Sequence, residues 1–183
     1  MRTLAITQNI TVDGSIEMLG DWFDPQDEEL ADVNELMKRE DSESDAILLG
    51  RRTFEDFRGY WPRQTDDKTG ITDQLNEVRK YVVSNTMTDP AWQNSTILSG
   101  DVVERVRELK EESGEDIIVT GSITLCHELI GAGLVDQYRL YRYPVVQGRG
   151  RRLFPDGYGI PRLDLLESQT FRSGIAYARY RPA

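Results

Sequence analysis

A glycine followed by two arginines and a threonine, Gly50-Arg51-Arg52-Thr53, carries the strongest local signal for ligand binding. This tetrapeptide follows the short apolar run 46–49 and begins a pattern typical of a helix. Free backbone N–H groups and the positive end of a helix dipole favour a phosphate group there, and the glycine lets the phosphate approach closely. The two arginines can neutralise an additional phosphate. A ligand-free helix start with its arginines in solvent is the alternative for so short a motif.

Two further apolar runs end in polar or glycine-led sequences. The residues are Ser84, Asn85 and Thr86 after the run 81–83, and Gly121, Ser122, Ile123, Thr124 and Leu125 after the run 117–120. The first set can hydrogen-bond a nucleotide ribose or its phosphate, and the second is a glycine-led helix start able to receive a pyrophosphate. An ordinary turn and a capped helix are the alternatives. Because ligands bind beyond the carboxyl ends of parallel strands, the three junctions together favour one nucleotide site.

Length and charge limit the classes of function. The 183 residues suffice for one domain, 1–183, with a substantial core. The net charge of -10 argues against binding of nucleic-acid backbone. Since no apolar run approaches about 20 residues and the N-terminus lacks a signal-peptide pattern, we expect no membrane span and a cytoplasmic location. The single Cys126 and the single His127 provide neither a disulfide nor a zinc site, so both are expected to be structural and no metal is expected.

The order of the predicted elements indicates an α/β fold. Apolar and turn patterns predict strands at 2–11, 46–49, 80–84, 95–98, 116–120, 138–146, 163–171 and 175–180, and helices at about 25–40, from 51 or 52, near 72–79, from 101 and from 122. The first helix is expected to start at Asp24-Pro25, an N-cap acid followed by a proline. Alternating strands and helices imply a mainly parallel sheet, and the late strands imply antiparallel additions at one edge.

In order and spacing, these segments resemble the dihydrofolate reductase superfamily, and more closely its branch related to the reductase domain of the bifunctional riboflavin-biosynthesis deaminase-reductase. The motifs that carry the resemblance are 11–14 (TVDG), 48–55 (LLGRRTFE), 81–84 (YVVS), 116–122 (DIIVTGS), 133–140 (GLVDQYRL), 144–150 (PVVQGRG) and 153–154 (LF). They span nearly the whole chain. The resemblance implies a three-layer fold with a mixed, mainly parallel central sheet and antiparallel C-terminal strands.

The same resemblance implies that the protein binds NADPH. By it, residues 51–53 match the positions that hold the adenosine 2′-phosphate and the pyrophosphate, residues 84–86 match the adenine-side strand end, and residues 121–125 match the glycine-rich pyrophosphate loop. An arginine beside the 2′-phosphate favours NADPH over NADH. The segment 13–22 matches a mobile loop that closes over the nicotinamide. A homodimer through the apolar face of a late strand is also expected.

Candidate substrate residues lie at the end of the first strand and among the aromatic side chains. Asn9 and Asp13 can hydrogen-bond substrate or nicotinamide, although ordinary turn residues explain them equally well. Aromatic side chains can form a wall for a planar pterin or pyrimidine ring, and each of them also fits a core position. The candidates are Trp22, Phe57 and Trp61, with Phe23, Tyr60 and Tyr143.

The sequence leaves the reaction open. Hydride transfer from NADPH to a small pterin, pyrimidine or related carbonyl/imine substrate is the leading expectation. A basic pocket near Arg149, Arg151 and Arg152 would favour a 5-amino-6-(5-phosphoribosylamino)uracil reductase-type activity in riboflavin biosynthesis, and a buried helix carboxylate would favour dihydrofolate reduction. The family's helix carboxylate falls near positions 32–34 (Asp32, Val33, Asn34), so the catalytic residue is left unassigned. A nucleotide-binding module without turnover is therefore a further alternative.

Overall fold

Residues 1–183 are described by a computed structural model, apart from the side chain of Glu28. The strands are β1 (Leu4–Thr11), β2 (Ser44–Gly50), β3 (Arg79–Val83), β4 (Ser95–Leu98), β5 (Asp116–Thr120), β6 (Gln137–Tyr143), β7 (Leu163–Thr170) and β8 (Ala176–Pro182). The helices are α1 (Ala31–Ser42), α2 (Arg51–Tyr60), α3 (Ile71–Glu77), α4 (Val102–Glu111) and α5 (Ile123–Gly131), with short 3₁₀ turns at Glu28–Leu30 and Trp61–Arg63. Among the helices described, none has both the length and the apolar character that a membrane span requires.

All eight strands form one sheet, in the order β4-β3-β2-β5-β1-β6-β8-β7. The pairings from β4 through β6 are parallel, whereas β8 runs antiparallel to β6 and β7 runs antiparallel to β8. The predicted mixed sheet with antiparallel C-terminal strands is therefore confirmed. Strand β5 returns between β2 and β1, so the carboxyl ends of these strands lie side by side.

Helices cover both faces of the sheet because successive side chains of each strand point to opposite sides. Ile47 of β2 shares an apolar cluster with Phe54 of α2, whereas Leu48 lies with Leu125 of α5 in the cluster on the other face. Helix α1 packs on the α2 side, and α4 packs on the α5 side. Helices α2 and α5 thus follow neighbouring strands but lie on opposite faces. Their N-termini flank a crevice at a topological switch point, which is where open α/β sheets bind ligands.

The first helix begins later than the sequence predicts. The side chains of Asp24 and Asp27 each accept a hydrogen bond from a backbone N–H two residues ahead, both at 2.9 Å. These contacts stabilise turns, and α1 starts only at Ala31. The predicted start at Asp24-Pro25 is wrong because short acidic side chains favour local turns as well as helix caps. The strand predicted at 138–146 is also too long, since the proline that follows β6 has no N–H to extend the ladder.

A buried carboxylate ties α1 to the antiparallel strands. The Glu40 side chain, in a residue only 4% exposed, accepts hydrogen bonds from the hydroxyls of Tyr141 at 2.7 Å and of Tyr177. The buried guanidinium of Arg139 lies 3.6 Å from the same carboxylate. Burial, together with the Glu40 charge, raises the pKa of both tyrosines, so their hydroxyls remain donors. This network fixes α1 beside the crevice.

Candidate functional site

The N-termini of α2 and α5 are interlocked by hydrogen bonds between their first residues. The Gly50 N–H donates to Ser122 Oγ at 2.9 Å, and the Ser122 N–H donates to Thr53 Oγ1 at 2.9 Å. Each contact joins the end of one strand to the helix that follows its neighbour. The two glycine-led junctions singled out in the sequence therefore meet in one place, with both helix dipoles directed to it.

Gly121 occupies a position that only glycine fits well. Its φ of +57° lies in the left-handed region, and a Cβ there would come within 2.8 Å of Thr53 Cγ2. The Gly121 carbonyl accepts a hydrogen bond from Gln8 Nε2 of β1 at 2.7 Å, which stabilises the turn. The next residue, Ser122, also has a positive φ, of 49°. Backbone held in such sparsely populated conformations is typical of functional sites.

Arg51 connects this crevice to the end of β3. Its guanidinium donates to Thr86 Oγ1 at 2.6 Å and to Glu55 Oε1 at 2.8 Å, and about half of its side chain stays exposed. The Ser84 hydroxyl accepts the Met87 N–H at 3.0 Å, which shapes the turn that carries Thr86. An exposed cation beside a hydroxyl, in front of a helix N-terminus, suits a phosphate group.

The remaining predicted cofactor residues differ in their contacts and in their burial. The Asn85 side chain accepts the Gly100 N–H at 2.7 Å and so supports the turn after β3. Arg52 is exposed in the first turn of α2. Its charge contributes to the lowered pKa of Glu17, after the larger effect of the hydrogen bonds from Arg151. Of the predicted segment 121–125, Leu125 is buried in the core, Ile123 packs against the core and Thr124 is exposed. The polar contacts of this segment to α2 come from its first two residues.

The Asp13 carboxylate is committed to hydrogen bonds within the protein. It accepts one from the Thr11 hydroxyl at 2.6 Å and one from the Gly148 N–H at 2.7 Å. These hydrogen bonds lower the pKa of Asp13 to about 2, so the carboxylate is ionised at neutral pH. Asp13 therefore holds the end of β1 against the loop after β6, and its role toward a substrate stays a prediction.

Gln147 joins the same two loops through its side-chain amide. Its Oε1 accepts a hydrogen bond from Trp22 Nε1 at 2.8 Å, and its Nε2 donates to the Ser15 hydroxyl and to two backbone carbonyls. We call Asp13 and Gln147 the loop clasp, because together they hold the segment 13–22. Gln147 was not among the predicted site residues, since a lone glutamine in a glycine-rich loop carries no signal for this role.

A cavity of about 290 Å³ lies beside the loop clasp. It is lined by Asp13, Ser15, Gly148, Arg149, Gly150 and Arg152. Arg149 and Arg152 are exposed there, so an anionic group at this cavity would meet positive charge. Arg151, the other arginine of the predicted basic pocket, does not line this cavity and pairs with Glu17 at 2.9 Å.

A larger cavity, of about 660 Å³, lies at the amino ends of β2, β3 and β4. Its lining includes Asp41, Asp45 and Arg79. These residues lie at the opposite edge of the sheet from the interlocked helix N-termini. Because open α/β sheets bind their ligands at the carboxyl edge, this cavity is not part of the candidate site.

The sheet exposes a polar patch between α1 and α2. Thr7 and Asn9 of β1 and Thr120 of β5, partner of Thr7 in the register, are each only partly buried. They point to the same face as Ala5 and Ile118, which lie one pleat below and are buried. We call Thr7, Asn9 and Thr120 the polar floor. Asn9 was a predicted site residue, whereas the threonines were missed because threonine is common in ordinary strands.

Comparison with known proteins identifies the family. The family model for the RibD C-terminal domain matches residues 2–177. The chain belongs to this family. It is also 31% identical over 186 residues to the uncharacterized protein YyaP of Bacillus subtilis (strain 168), covering 98% of this chain and 94% of that protein.

Solved structures share the fold of this RibD C-terminal domain. A protein of Shewanella sp. PV-4, assigned by inference to riboflavin biosynthesis, matches with a TM-score of 0.70 at 16% identity over 99% of both chains. A pyrimidine reductase-like protein of Corynebacterium diphtheriae matches with a TM-score of 0.69 at 14% identity, over 99% of this chain and 92% of the other. Dihydrofolate reductase of Enterococcus faecalis, complexed with NADP(H), matches with a TM-score of 0.62 at 16% identity, over 98% and 95%. The predicted dihydrofolate reductase-like fold is thereby confirmed.

The predicted aromatic wall divides into two groups in this family member. Trp22 lies 5.2 Å from Tyr143 between ring centroids, and Phe23 lies 5.9 Å from it, so these three rings cluster at the end of β6. Phe57, a residue of α2, is partly buried, and it packs against the apolar cluster that contains Trp61, which is only 6% exposed. The first group is held by the loop clasp through Trp22, and the second belongs to the core beneath α2.

Of the three positions considered for a catalytic acid, Asp32 alone carries a carboxylate. Asp32 accepts hydrogen bonds from the Val33 N–H at 3.0 Å and from the Arg172 N–H at 3.3 Å, at the turn before β8. Val33 is buried in the core, and Asn34 carries a neutral amide. His127, expected to be structural, donates from Nε2 to the Arg152 carbonyl at 2.8 Å.

Proposed function

We propose that this protein is an NADPH-dependent reductase that transfers hydride to a small pterin, pyrimidine or related carbonyl/imine substrate. The observation that carries the proposal is the interlock of Gly50, Thr53 and Ser122, which brings two helix N-termini to one crevice at the switch point of the sheet. Each helix start offers free N–H groups and a positive dipole end to an anion. Arg51, beside Thr86, adds the charge that a further phosphate requires.

The residues of this crevice fit a phosphorylated dinucleotide. A side chain at Gly121 would fill the space in front of Thr53, so bare backbone is what the α5 start presents to a ligand. The N–H groups of Gly50 and Ser122 are used within the interlock. In the proposal, the backbone of residues 51, 52, 121 and 123 therefore holds the pyrophosphate, and Arg51 with Thr86 holds the 2′-phosphate. Arg52 adds positive potential from the first turn of α2. NADPH, when bound, supplies the hydride.

The substrate is proposed to lie on the polar floor between α1 and α2. Asn9 provides hydrogen bonds from the sheet, Phe57 borders the site from α2 and Trp61 supports Phe57 from the core. The loop clasp holds Trp22 near the end of β1, where the ring helps to exclude water from the reacting atoms. The role of this chain is positioning and electrostatics, and the proton donor to the substrate is left unassigned.

A 5-amino-6-(5-phosphoribosylamino)uracil reductase-type activity is the second candidate. It would reduce the ribosyl group of an aminopyrimidine phosphate to a ribityl group with hydride from NADPH. The cavity lined by Arg149 and Arg152 favours it, because this cavity offers positive charge to a substrate phosphate beside the end of β1. Membership of the RibD C-terminal domain family supports the same choice.

The assembly and location are further parts of the proposal. We propose that residues 1–183 act as one domain in the cytoplasm and as a homodimer. Leu165 and Leu166 support the dimer, because they are 56% and 43% exposed on the edge strand β7. An exposed apolar edge strand favours pairing with a second copy. Sedimentation of the purified protein tests this part.

Thermal melting and turnover test the reductase proposal. A binder gains stability as ligand exceeds its dissociation constant, so NADPH should raise the melting temperature more than NADH does. Loss of NADPH absorbance is then followed with dihydrofolate and with the aminopyrimidine phosphate as substrates. Oxidation with either supports the reductase, and the better substrate decides between the candidates. Stabilisation without oxidation of either substrate favours a silent nucleotide-binding module, and no stabilisation by NADPH rejects the proposal.

A further inference from the structure

Ser122 begins helix α5 in a conformation that is unusual for that position. A serine before a helix ordinarily has extended backbone, and its hydroxyl accepts a hydrogen bond from an N–H of the first turn. Ser122 instead has a left-handed backbone, with φ and ψ both at 49°, and its side chain makes no such hydrogen bond. Its hydroxyl accepts the Gly50 N–H from the end of β2. The first N–H groups of α5 are therefore left uncapped by this side chain, at the cost of a strained backbone.

Two hydrogen bonds hold the peptide group between Gly121 and Ser122 from opposite sides. Its carbonyl accepts from Gln8 Nε2 at 2.7 Å, and its N–H donates to Thr53 Oγ1 at 2.9 Å. The Cys126 thiol adds a longer contact to the same carbonyl, at 3.4 Å. Because Gln8 is only 3% exposed, its amide reaches the carbonyl from the interior of the protein. The carbonyl is thus directed into the protein, and the N–H is directed toward α2.

A half-turn of this peptide group would relieve the strain. A peptide is a rigid plane, so its rotation changes only ψ of Gly121 and φ of Ser122. Glycine tolerates the new ψ, and φ of Ser122 would move to the negative values that serine prefers. The Gly121 carbonyl would then face α2, where its partial negative charge opposes an anion. The Ser122 hydroxyl would be free to cap α5 in the ordinary way. The strained arrangement is therefore the one that suits a phosphate group.

Gln8 supplies the contact that distinguishes the two arrangements. The Thr53 hydroxyl can accept from an N–H or donate to a carbonyl, so it suits either orientation of the peptide. Gln8 Nε2 is a donor only, and it bonds the carbonyl in the observed orientation. We infer that Gln8 is a positioning residue, which holds the Gly121–Ser122 peptide against its strain and so keeps the crevice free for the cofactor pyrophosphate. This inference rests on the proposed function for the identity of the anion.

Hydrogen exchange of the Ser122 amide, followed by NMR without ligand, tests the hold on the peptide. Gln8→Met keeps the length of the side chain and removes the donor. Relative to the buried Val119 amide of β5, exchange at Ser122 should become about fivefold faster or more, because the N–H leaves its acceptor. Gln137→Met is the matched control, since this glutamine bonds Arg179 at 2.8 Å at the amino end of β6. It should leave exchange at Ser122 unchanged.

Calorimetry with NADPH and NADH tests the consequence for the cofactor. Both molecules carry the pyrophosphate, so Gln8→Met should weaken both by the same factor, about fivefold or more, and Gln137→Met should weaken neither. Ser122→Gly removes both the strain and the hydroxyl that would cap α5. Gln8→Met should therefore lose less affinity in the Ser122→Gly background than in wild type. A residue that serves only folding would give equal effects in the two backgrounds.

Four results would each overturn the inference. They are unchanged exchange at Ser122 in Gln8→Met, unchanged cofactor affinity in that variant, a loss of affinity confined to NADPH, and equal losses in both backgrounds. If Gln8→Met does not melt cooperatively, Gln8→Asn replaces it, because its amide is too short to reach the Gly121 carbonyl. If wild type binds neither cofactor, the reductase proposal fails, and exchange at Ser122 alone decides whether Gln8 holds the peptide.

Discussion

The Arg51 guanidinium donates to the Thr86 hydroxyl at 2.6 Å, which links the ends of β2 and β3 in front of the α2 N-terminus. If this pair holds the 2′-phosphate, Arg51→Leu weakens NADPH binding by about tenfold or more, since hydrogen bonds to charged groups contribute about 1.5–3 kcal/mol. NADH lacks that phosphate, so its binding should change little. Titration calorimetry with both cofactors measures the difference.

Arg105→Leu is the matched control for this charge change. Arg105 is exposed on α4 and pairs with Glu108 at 2.6 Å, on a helix that contributes no residue to the proposed site. It should leave both affinities unchanged. An equal loss of NADPH and NADH binding in Arg51→Leu would contradict the assignment of Arg51 to the 2′-phosphate.

The loop clasp predicts a measurable change at Trp22. Gln147→Leu removes the acceptor for Trp22 Nε1 and the donors to the segment 13–22. We expect a red-shifted Trp22 emission, stronger quenching by acrylamide and weaker NADPH binding. Gln147→Glu keeps the acceptor for the indole, so it should restore part of the emission but not the contacts that need a donor.

Two further variants isolate the Trp22 signal. Trp22→Phe identifies the share of the emission that comes from this ring, and Gln169→Leu on the exposed edge strand β7 controls for the substitution itself. The clasp has no role in holding the loop if Gln147→Leu and Gln169→Leu give the same emission and quenching.

The close approach of Gly121 to Thr53 predicts a loss of stability in Gly121→Ala. This loss has a backbone part and a steric part. Gly121→Ala places a Cβ 2.8 Å from Thr53 Cγ2 at a φ of +57°. The left-handed backbone costs about 1–2 kcal/mol, and the overlap adds about 1–3 kcal/mol. Denaturant unfolding should therefore show a larger loss of stability for Gly121→Ala than for a Gly→Ala substitution at a left-handed position with no steric overlap.

Gly133→Ala provides that comparison, because its φ is +66° and a Cβ there meets no described atom within 4 Å. Adding Thr53→Ser to Gly121→Ala removes the crowding methyl but keeps the hydroxyl that accepts the Ser122 N–H. The double variant should recover the steric part of the loss. Equal losses of stability in Gly121→Ala and Gly133→Ala would show that the contact between Gly121 and Thr53 leaves room for a methyl group.

Sequence reasoning located the strand ends but not the contacts between them. Gly50 and Ser122 were predicted as site residues because a glycine or a polar turn after a buried strand is a local pattern. Their hydrogen bond joins positions 72 residues apart, so only the order of the strands in the sheet brings them together. Gln147 was missed for the same reason, since its partners lie 125 to 132 residues away. The wrong start of α1 has a local cause, because an acid before a proline stabilises a turn as readily as a helix.

Glu40 should be important for stability although it lies far from the proposed cofactor residues. Its carboxylate satisfies two tyrosine hydroxyls and faces the buried Arg139. Arg139 keeps its ion pair with Asp116 when Glu40 is removed, so the expected loss comes from the two buried tyrosine hydroxyls that lose their acceptor, at about 1–3 kcal/mol for each unsatisfied group. Glu40→Ala should therefore lower the free energy of unfolding by that amount. Glu35→Ala, on the exposed side of the same helix, should change it by less than about 0.5 kcal/mol. Similar losses in both variants would count against the network.

Asp41 predicts the direction of a pH effect on stability. Burial, followed by the charge of Glu40, raises the pKa of Asp41 to about 6. An unfolded aspartate has a pKa of about 3.9, so between these values the folded state binds more protons than the unfolded state. The free energy of unfolding therefore falls as the pH rises through this window, and below it both states are protonated. Asp41→Asn removes this loss, so its melting temperature should equal that of wild type near pH 4 and exceed it near pH 7. Asp156→Asn, at an exposed position, controls for the charge change. Parallel melting profiles of Asp41→Asn and wild type over this range would mean that Asp41 ionises normally in the folded protein.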